Sequence, residues 1–205
     1  MRKVKTRKTE PGVLIIVSAP SGCGKSTVVR ALMEKRENLR FSVSATTRKP
    51  REGETDGVDY FFVSREEFQR MIAAEAFLEH AEYVGNCYGT PRAPVEQQLK
   101  EGYDVYLDID VQGAMQVKAI RPETLMIFLM PPSMEELERR LVSRGTNTPE
   151  EIRDRLAAAE RECALRDRFD HVVVNDVVAR AVDEISDLID AEKRKLKSNQ
   201  KKKLK

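Results

Sequence analysis

Val13-Leu14-Ile15-Ile16-Val17-Ser18-Ala19-Pro20-Ser21-Gly22-Cys23-Gly24-Lys25-Ser26-Thr27 decides the fold. A continuous apolar run, the pattern of a strand buried on both faces, passes into a glycine-rich turn and then a helix start. Gly22 and Gly24 can take positive φ, so successive N–H groups turn toward one point. Lys25 adds a cation and Ser26 a hydroxyl suited to magnesium, all at a helix N-terminus. This is the pattern of a cradle for nucleotide phosphates. The common spacing G-x-x-x-x-G-K-[ST] is met except at its first position, where Ala19 stands. Ala19 and Pro20 line the turn, and residues 21–27 carry the anion contacts. A merely solvated strand-to-helix loop has no need of two glycines, a lysine and a serine at this spacing.

A chain of 205 residues with 40% hydrophobic content can form one sizeable core with small inserted lobes. No apolar run approaches the roughly 20 residues that span a bilayer, and no apolar h-region follows the basic start. Cys23, Cys87 and Cys163 are odd in number and lack metal-ligand spacing, so a reducing cytoplasm is expected rather than a disulfide framework. Cys23, inside a helix-N-terminal anion loop, is expected to be partly ionised and reactive. The net charge of +2 hides an asymmetry. Five cations precede residue 9 and eight lie in 193–205, which leaves 23 of the 36 cations facing 33 of the 34 acids in the body. Such basic ends can touch an acidic surface or solvate disordered tails; no aromatic residue interleaves them, so a nucleic-acid platform is disfavoured.

Strand and helix patterns alternate along the chain. Val105–Ile109, Leu125–Met130 and His171–Val174 read as further core strands, which implies a parallel sheet with helices on both faces. Ser64 with Glu67, Ser133 with Glu136 and Thr148 with Glu151 fit capping boxes, with Pro149 at a first helical position. Between Phe41 and Thr90 the pattern breaks into strand-like pieces (41–44 and 60–63), a polar loop and a helix near 65–75, the signature of an inserted lobe. A second insertion, about 137–168, reads as helical and dense in arginine.

In the first insertion Arg48 and Arg51 stand three residues apart beside hydroxyls. Two guanidinium forks can hold a phosphate dianion, with Tyr60 and Tyr88 adding phenolic donors, although two arginines in a loop are also the pattern of a solvated face. The stretches Ser44–Arg51, Gly53-Glu54, Gly57–Ser64, Phe77-Leu78-Glu79, Gly85–Thr90 and Leu107–Gly113 resemble the guanylate kinase family in order and spacing, over about residues 12–192. The resemblance implies a P-loop α/β core, a GMP-binding lobe and a lid over ATP. Arg48, Arg51, Tyr60 and Tyr88 would hold the GMP phosphate; Ser44, Glu79, Thr90 and Asp110 would surround the guanosine. Arg140, Arg144 and Arg155 would belong to the lid and, with Lys25 and Arg48, stabilise charge in transfer, while Asn175 would lie near the adenine. Arg139 and Arg153 read instead as salt-bridged surface residues.

A carboxylate such as Glu79 can accept from guanine N1–H and its 2-amino group while Thr90 donates to O6. Asp108 and Asp110, at a strand end, can serve as the base that a hydroxyl acceptor would want or can organise magnesium through water. The implied segments are a basic arm (1–11), core with P-loop (12–42), GMP lobe (43–91), core (92–136), lid (137–168), core (169–192) and basic tail (193–205). The expected activity is ATP-dependent phosphorylation of GMP, and of dGMP by the family pattern, with Mg²⁺. The alternatives are a P-loop kinase with a hydroxyl acceptor, a guanylate-kinase-like scaffold that has lost catalysis, and a binder of nucleic acid through the tails. Homo-oligomer formation is left open.

Overall fold

The computed structural model describes residues 11–143, 145 and 148–203. In chain order these form β1 (Leu14–Ser18), α1 (Lys25–Lys35), β2 (Leu39–Phe41), β3 (Ala45–Thr46), β4 (Phe61–Phe62), α2 (Arg65–Ala73), β5 (Phe77–Tyr83) and β6 (Asn86–Pro91). There follow α3 (Arg92–Lys100), β7 (Asp104–Leu107), α4 (Val111–Ile120), β8 (Leu125–Met130), α5 (Met134–Ser143), α6 (Pro149–Cys163), β9 (His171–Val174) and α7 (Val178–Lys203). The chain divides into two compact units. One holds residues 11–14, Asn38–Leu107 and Gln112–Thr124; the other holds Ile15–Glu37, Asp108–Val111 and residues 125–203.

In the second unit β1 pairs in parallel with β8, and β8 in parallel with β9. Every residue of β1 is buried, which is why its sequence is apolar without alternation. The valine run of β9 looks equally buried in the sequence, yet only Val173 is enclosed, and Val172 and Val174 face solvent. As the outer strand of this trio, β9 has one covered face, supplied by α7. Arg36, just past α1, ties that helix to α7 by donating to Ser186 Oγ (2.8 Å) and Asp190 (2.9 Å). The lysine-rich end was expected as a tail from residue 193; instead α7 continues through it to Lys203. The other basic end, residues 1–10, lies outside the described residues.

In the first unit β2 pairs in parallel with β7, so the strand expected at 41–44 is corrected: it ends at Phe41, and the strand of the lobe begins at Ala45. A separate four-stranded sheet runs β4-β3-β6-β5, with β3/β4 parallel and the β5/β6 hairpin antiparallel. The hairpin is missing from a reading based on hydrophobic periodicity because β5 does not alternate: Phe77, Leu78 and Glu79 are buried in succession, across the register shift. One face of this sheet packs on α2 through Ala45, Phe68, Phe77 and Cys87, with Phe61 and Met71 against them. Phe68 and Phe77 stack at 4.5 Å, and burying a side chain such as Phe68 contributes about 2–3 kcal/mol.

Of the three expected capping boxes, only Thr148/Glu151 closes in both directions, with Pro149 in the first turn of α6. Ser64 and Ser133 accept from the N–H groups of Glu67 and Glu136 as expected. The carboxylates of those glutamates turn instead to Arg70 and to Arg139 and Arg140. A charged guanidinium three or four residues on is a stronger donor than a neutral backbone N–H.

Candidate functional site

The phosphate loop has the conformation its glycines suggest. Gly22 and Gly24 stand at φ 91° and 93°, and Cys23 N–H donates to Pro20 O at 3.1 Å to close the turn. From Gly24 the chain enters α1, where the N–H groups of Thr27 and Val28 both donate to Gly24 O at 3.1 Å and those of Lys25 and Ser26 lead the helix. Lys25 Nζ reaches Asp108, placed just after β7, at 2.5 Å. Ser26 and Thr27 are exposed on the first turn. Ser26 and Asp108 are oxygen donors of the kind magnesium takes, and among the described residues no group of three His, Cys, Asp or Glu side chains is gathered. That donor set fits Mg²⁺, which retains waters and draws its other ligands from substrate phosphates.

Behind the loop the structure is closed. Cys23 is fully buried and its thiol donates to Leu129 O at 3.4 Å. Burial pushes the thiol up to about 12, against the partial help of the Arg140 cation. The expectation of a reactive Cys23 is therefore corrected: its backbone faces the anion loop, but its sulfur is directed into the core. Asn175, which the resemblance puts near the adenine, lies directly behind the loop. It is 3% exposed, and its Nδ2 donates to Cys23 O at 2.8 Å.

The second insertion is the helix pair α5 and α6, joined through Leu137, Leu141 and Ala159. Its leucines close on the loop so tightly that a Cβ on Gly22 would lie 2.7 Å from Leu141. Arg140 donates to Glu136 (2.8 Å), Cys23 O (3.3 Å) and Asn175 O (3.0 Å), and so braces the loop from α5. Arg155 reaches Ser21 Oγ at 3.5 Å. Arg144 lies outside the described residues. Arg139 and Arg153 pair with Glu136 and Glu150 on the surface, as expected.

In the first unit, strand alternation sorts the acceptor candidates. The register sets Glu79 opposite Thr90, Ala81 opposite Tyr88, and Thr46 opposite both Tyr88 and Phe62. With period-2 alternation, Ser44, Tyr60, Glu79, Tyr88 and Thr90 share the face that α2 leaves uncovered. A register shift between Phe77 and Glu79 lets Phe77 enter the core beside α2 while Glu79 points to the opposite face. Gly89 is needed beneath it, since a Cβ there would lie 2.9 Å from the Phe77 ring.

Thr90 Oγ donates to Glu79 Oε1 at 2.6 Å, and both residues are buried. The Thr90 hydroxyl thus orients the Glu79 carboxylate. Arg48 lies over the rings of Tyr60 (5.3 Å) and Phe62 (5.8 Å), and Tyr60 meets Tyr88 edge-on at 6.1 Å. Both forks of Arg48 are held by Glu54 at 2.8 Å. Arg51 offers Glu54 its backbone N–H at 2.7 Å while its side chain is exposed. The Arg48 fork, then the Arg51 N–H, hold the Glu54 carboxyl well below its usual range, at about 2. Glu54 was assigned no role from sequence. Its signals were its place in the Gly53-Glu54 stretch of the family resemblance and its spacing, six residues after Arg48. Asp110 belongs to the other unit, exposed in the loop between β7 and α4.

Comparison with known proteins agrees with this geometry. The family model for guanylate kinase matches residues 12–192. A guanylate kinase of Clostridium perfringens is 49% identical over 189 residues, which are 92% of this chain and 88% of that protein. One from Thermus thermophilus is 53% identical over 184 residues, 90% of this chain and 83% of its own length. The crystal structure of guanylate kinase from Anaplasma phagocytophilum superposes with a TM-score of 0.68 at 39% identity, covering 90% of this chain and 87% of that one. With a glycine cradle on α1, a tyrosine- and arginine-lined sheet face and these relatives in agreement, the chain belongs to the guanylate kinase family.

Proposed function

We propose that this chain transfers the γ-phosphoryl group of ATP to GMP, giving ADP and GDP, with Mg²⁺ carried on the nucleotide. The observation that carries the choice of guanine is the buried Glu79 carboxylate, 7% exposed and oriented by Thr90 on the open sheet face. Guanine offers N1–H and a 2-amino group to such an acceptor. Adenine offers no N1–H and would leave a buried acceptor unpaired, a mismatch that can discriminate by about 10⁴-fold. Acceptance of dGMP and location in the cytoplasm are parts of the same proposal. The first rests on the family resemblance and the second on three cysteines that are all buried as free thiols.

Phosphoryl transfer depends on positioning and charge neutralisation more than on a base. A nucleoside monophosphate, with a second pKa near 6, is already an anionic nucleophile at neutral pH. Arg48, Arg51, Tyr60 and Tyr88 hold the acceptor phosphate. The Lys25 cation and the N–H groups of Gly22, Gly24, Lys25 and Ser26 hold the donor phosphates, and Arg140, Arg144 and Arg155 belong to the segment that closes over them and excludes water. Mg²⁺, held by Ser26 and through water by Asp108, neutralises phosphate charge when bound.

The test is ADP formation from ATP and Mg²⁺ with GMP, dGMP, AMP, CMP, UMP or no acceptor at equal concentration. Turnover confined to the two guanine nucleotides is expected, and Glu79→Gln should narrow the preference for GMP over AMP. Binding of GMP without ADP formation would support a non-catalytic scaffold instead, and preference for another acceptor would overturn the role of Glu79.

A further inference from the structure

We infer that Asn175 is a positioning residue for the phosphate loop: its amide pins the Cys23 carbonyl and so aims the N–H of Gly24 at a bound triphosphate. This rests on the loop being the ATP phosphate site, as proposed above. Cys23 O and Gly24 N–H belong to one peptide unit. In a planar trans peptide the two point in opposite directions, and no cis bond occurs among the described residues. Asn175 Nδ2 takes that carbonyl at 2.8 Å and Arg140 Nη1 approaches it at 3.3 Å, so the carbonyl is fixed from one side. The N–H of Gly24 is then directed away from Asn175, without a rotation that ligand binding would have to oppose. An N–H aimed in advance costs no reorganisation when the anion arrives.

Three further contacts make Asn175 suited to this role. Its own backbone is held twice, N–H to Met130 O at 2.8 Å and carbonyl from Arg140 Nη2 at 3.0 Å, so the amide acts from a fixed base at the end of β9. Gly24 is packed against it: a Cβ at position 24 would stand 2.8 Å from Nδ2. The thiol of Cys23 is meanwhile anchored to Leu129 O, which prevents the peptide from swinging about its neighbour. Carbonyl, side chain and following glycine are thus each restrained, and the amide of Asn175 is the shortest of the restraints on the carbonyl.

A residue that contacts adenine and one that aims the loop separate in their response to a ligand with no base. Inorganic tripolyphosphate with Mg²⁺ and ATP with Mg²⁺ are titrated into the wild-type chain and into Asn175→Leu, which keeps the side-chain size and removes the donor. Loss of one buried hydrogen bond to the loop is expected to weaken both ligands by the same factor, about tenfold. KM for ATP should rise alike, while KM for GMP stays unchanged and reports an intact fold. Asn175→Asp, equal in shape but an acceptor facing a carbonyl, should be at least as impaired. Weakening of ATP alone overturns the inference in favour of a base contact, and unchanged binding of both ligands overturns it outright. Failure of the wild-type chain to bind either ligand would instead defeat the phosphate-site reading on which it rests.

Discussion

In the four-stranded sheet of the first unit the candidate groups are side chains, brought to one face by alternation and by a single register shift that separates Phe77 from Glu79. In the phosphate loop of the second unit they are main-chain N–H groups, aimed by two glycines at φ 91° and 93° and braced through a carbonyl. The two designs differ in how they fail. A side-chain site degrades one group at a time, since its backbone register is set elsewhere by the sheet. A backbone site has no spare group to lose, because one rotated peptide misaims its neighbours.

The largest effect should therefore come from Gly24→Ala. The residue would enter a left-handed conformation costing about 1–2 kcal/mol, with its Cβ 2.8 Å from Asn175 Nδ2. Turnover is expected to fall by about 10²-fold or more, as for loss of a preorganised donor, while GMP affinity measured by calorimetry stays at the wild-type value. A variant that retained full turnover would show that the loop tolerates the rotation and would break the contrast.

Glu54→Gln probes the side-chain design. Glu54 holds both forks of Arg48 at 2.8 Å over Tyr60 and Phe62, so its loss should free Arg48 without moving the strands. KM for GMP is expected to rise about tenfold, the size of one charge-assisted hydrogen bond, with KM for ATP unchanged. The carboxyl is lowered from 4.5 to about 2, so the pair's contribution is complete above about pH 4.5 and is lost as pH falls through about 2. Melting temperatures of wild type and variant should differ by a constant amount above pH 4.5 and converge below it. A difference that grew toward acid would refute the assigned cause.

Cys23 gives a smaller and purely chemical contrast, between a loop front open to ligand and a sealed back. Burial holds its thiol at about 12, so in native protein at pH 8 iodoacetamide should leave it unmodified and activity unchanged over hours, with alkylation following on addition of denaturant. Nucleotide-protected inactivation of the native chain would mean that the back of the loop opens.

The two regions were not equally legible in the sequence. The phosphate loop could be read from residue types alone, because only glycine takes its backbone angles freely and Lys25 and Ser26 follow at fixed spacing. What lay behind it could not. Asn175 and Arg140 are brought to Cys23 O from 152 and 117 residues away, a proximity that no local pattern encodes. β8 and β9 were legible to the residue because each is a short apolar run with clear ends, whereas β5 lacks both an apolar run and a strict alternation and was hidden. Glu79 is one of three glutamates within 75–82, and nothing local distinguishes it; its place opposite Thr90, reached through the shift beside Phe77, is a tertiary fact. Arg48 was visible as an arginine beside hydroxyls, but Glu54, its partner, was one of many loop acids.

The turn of the β5/β6 hairpin offers the smallest effect and isolates register from chemistry. Val84 and Gly85 occupy it at φ 48° and 72°, the two positive angles of the hairpin turn best matched to strand twist. Gly85 suits its place, whereas Val84 is β-branched, strained there, and 80% exposed, so its side chain gains little by packing. Val84→Asn should relieve the strain and stabilise the chain by about 1 kcal/mol, raising Tm by about 2–4 °C. Val84→Gly should gain less, since glycine also loosens the unfolded chain. Activity should not change in either, because the register shift beside Phe77 already sets Glu79 opposite Thr90. A gain in Tm accompanied by altered GMP selectivity would show that the turn, and not the shift, holds the register.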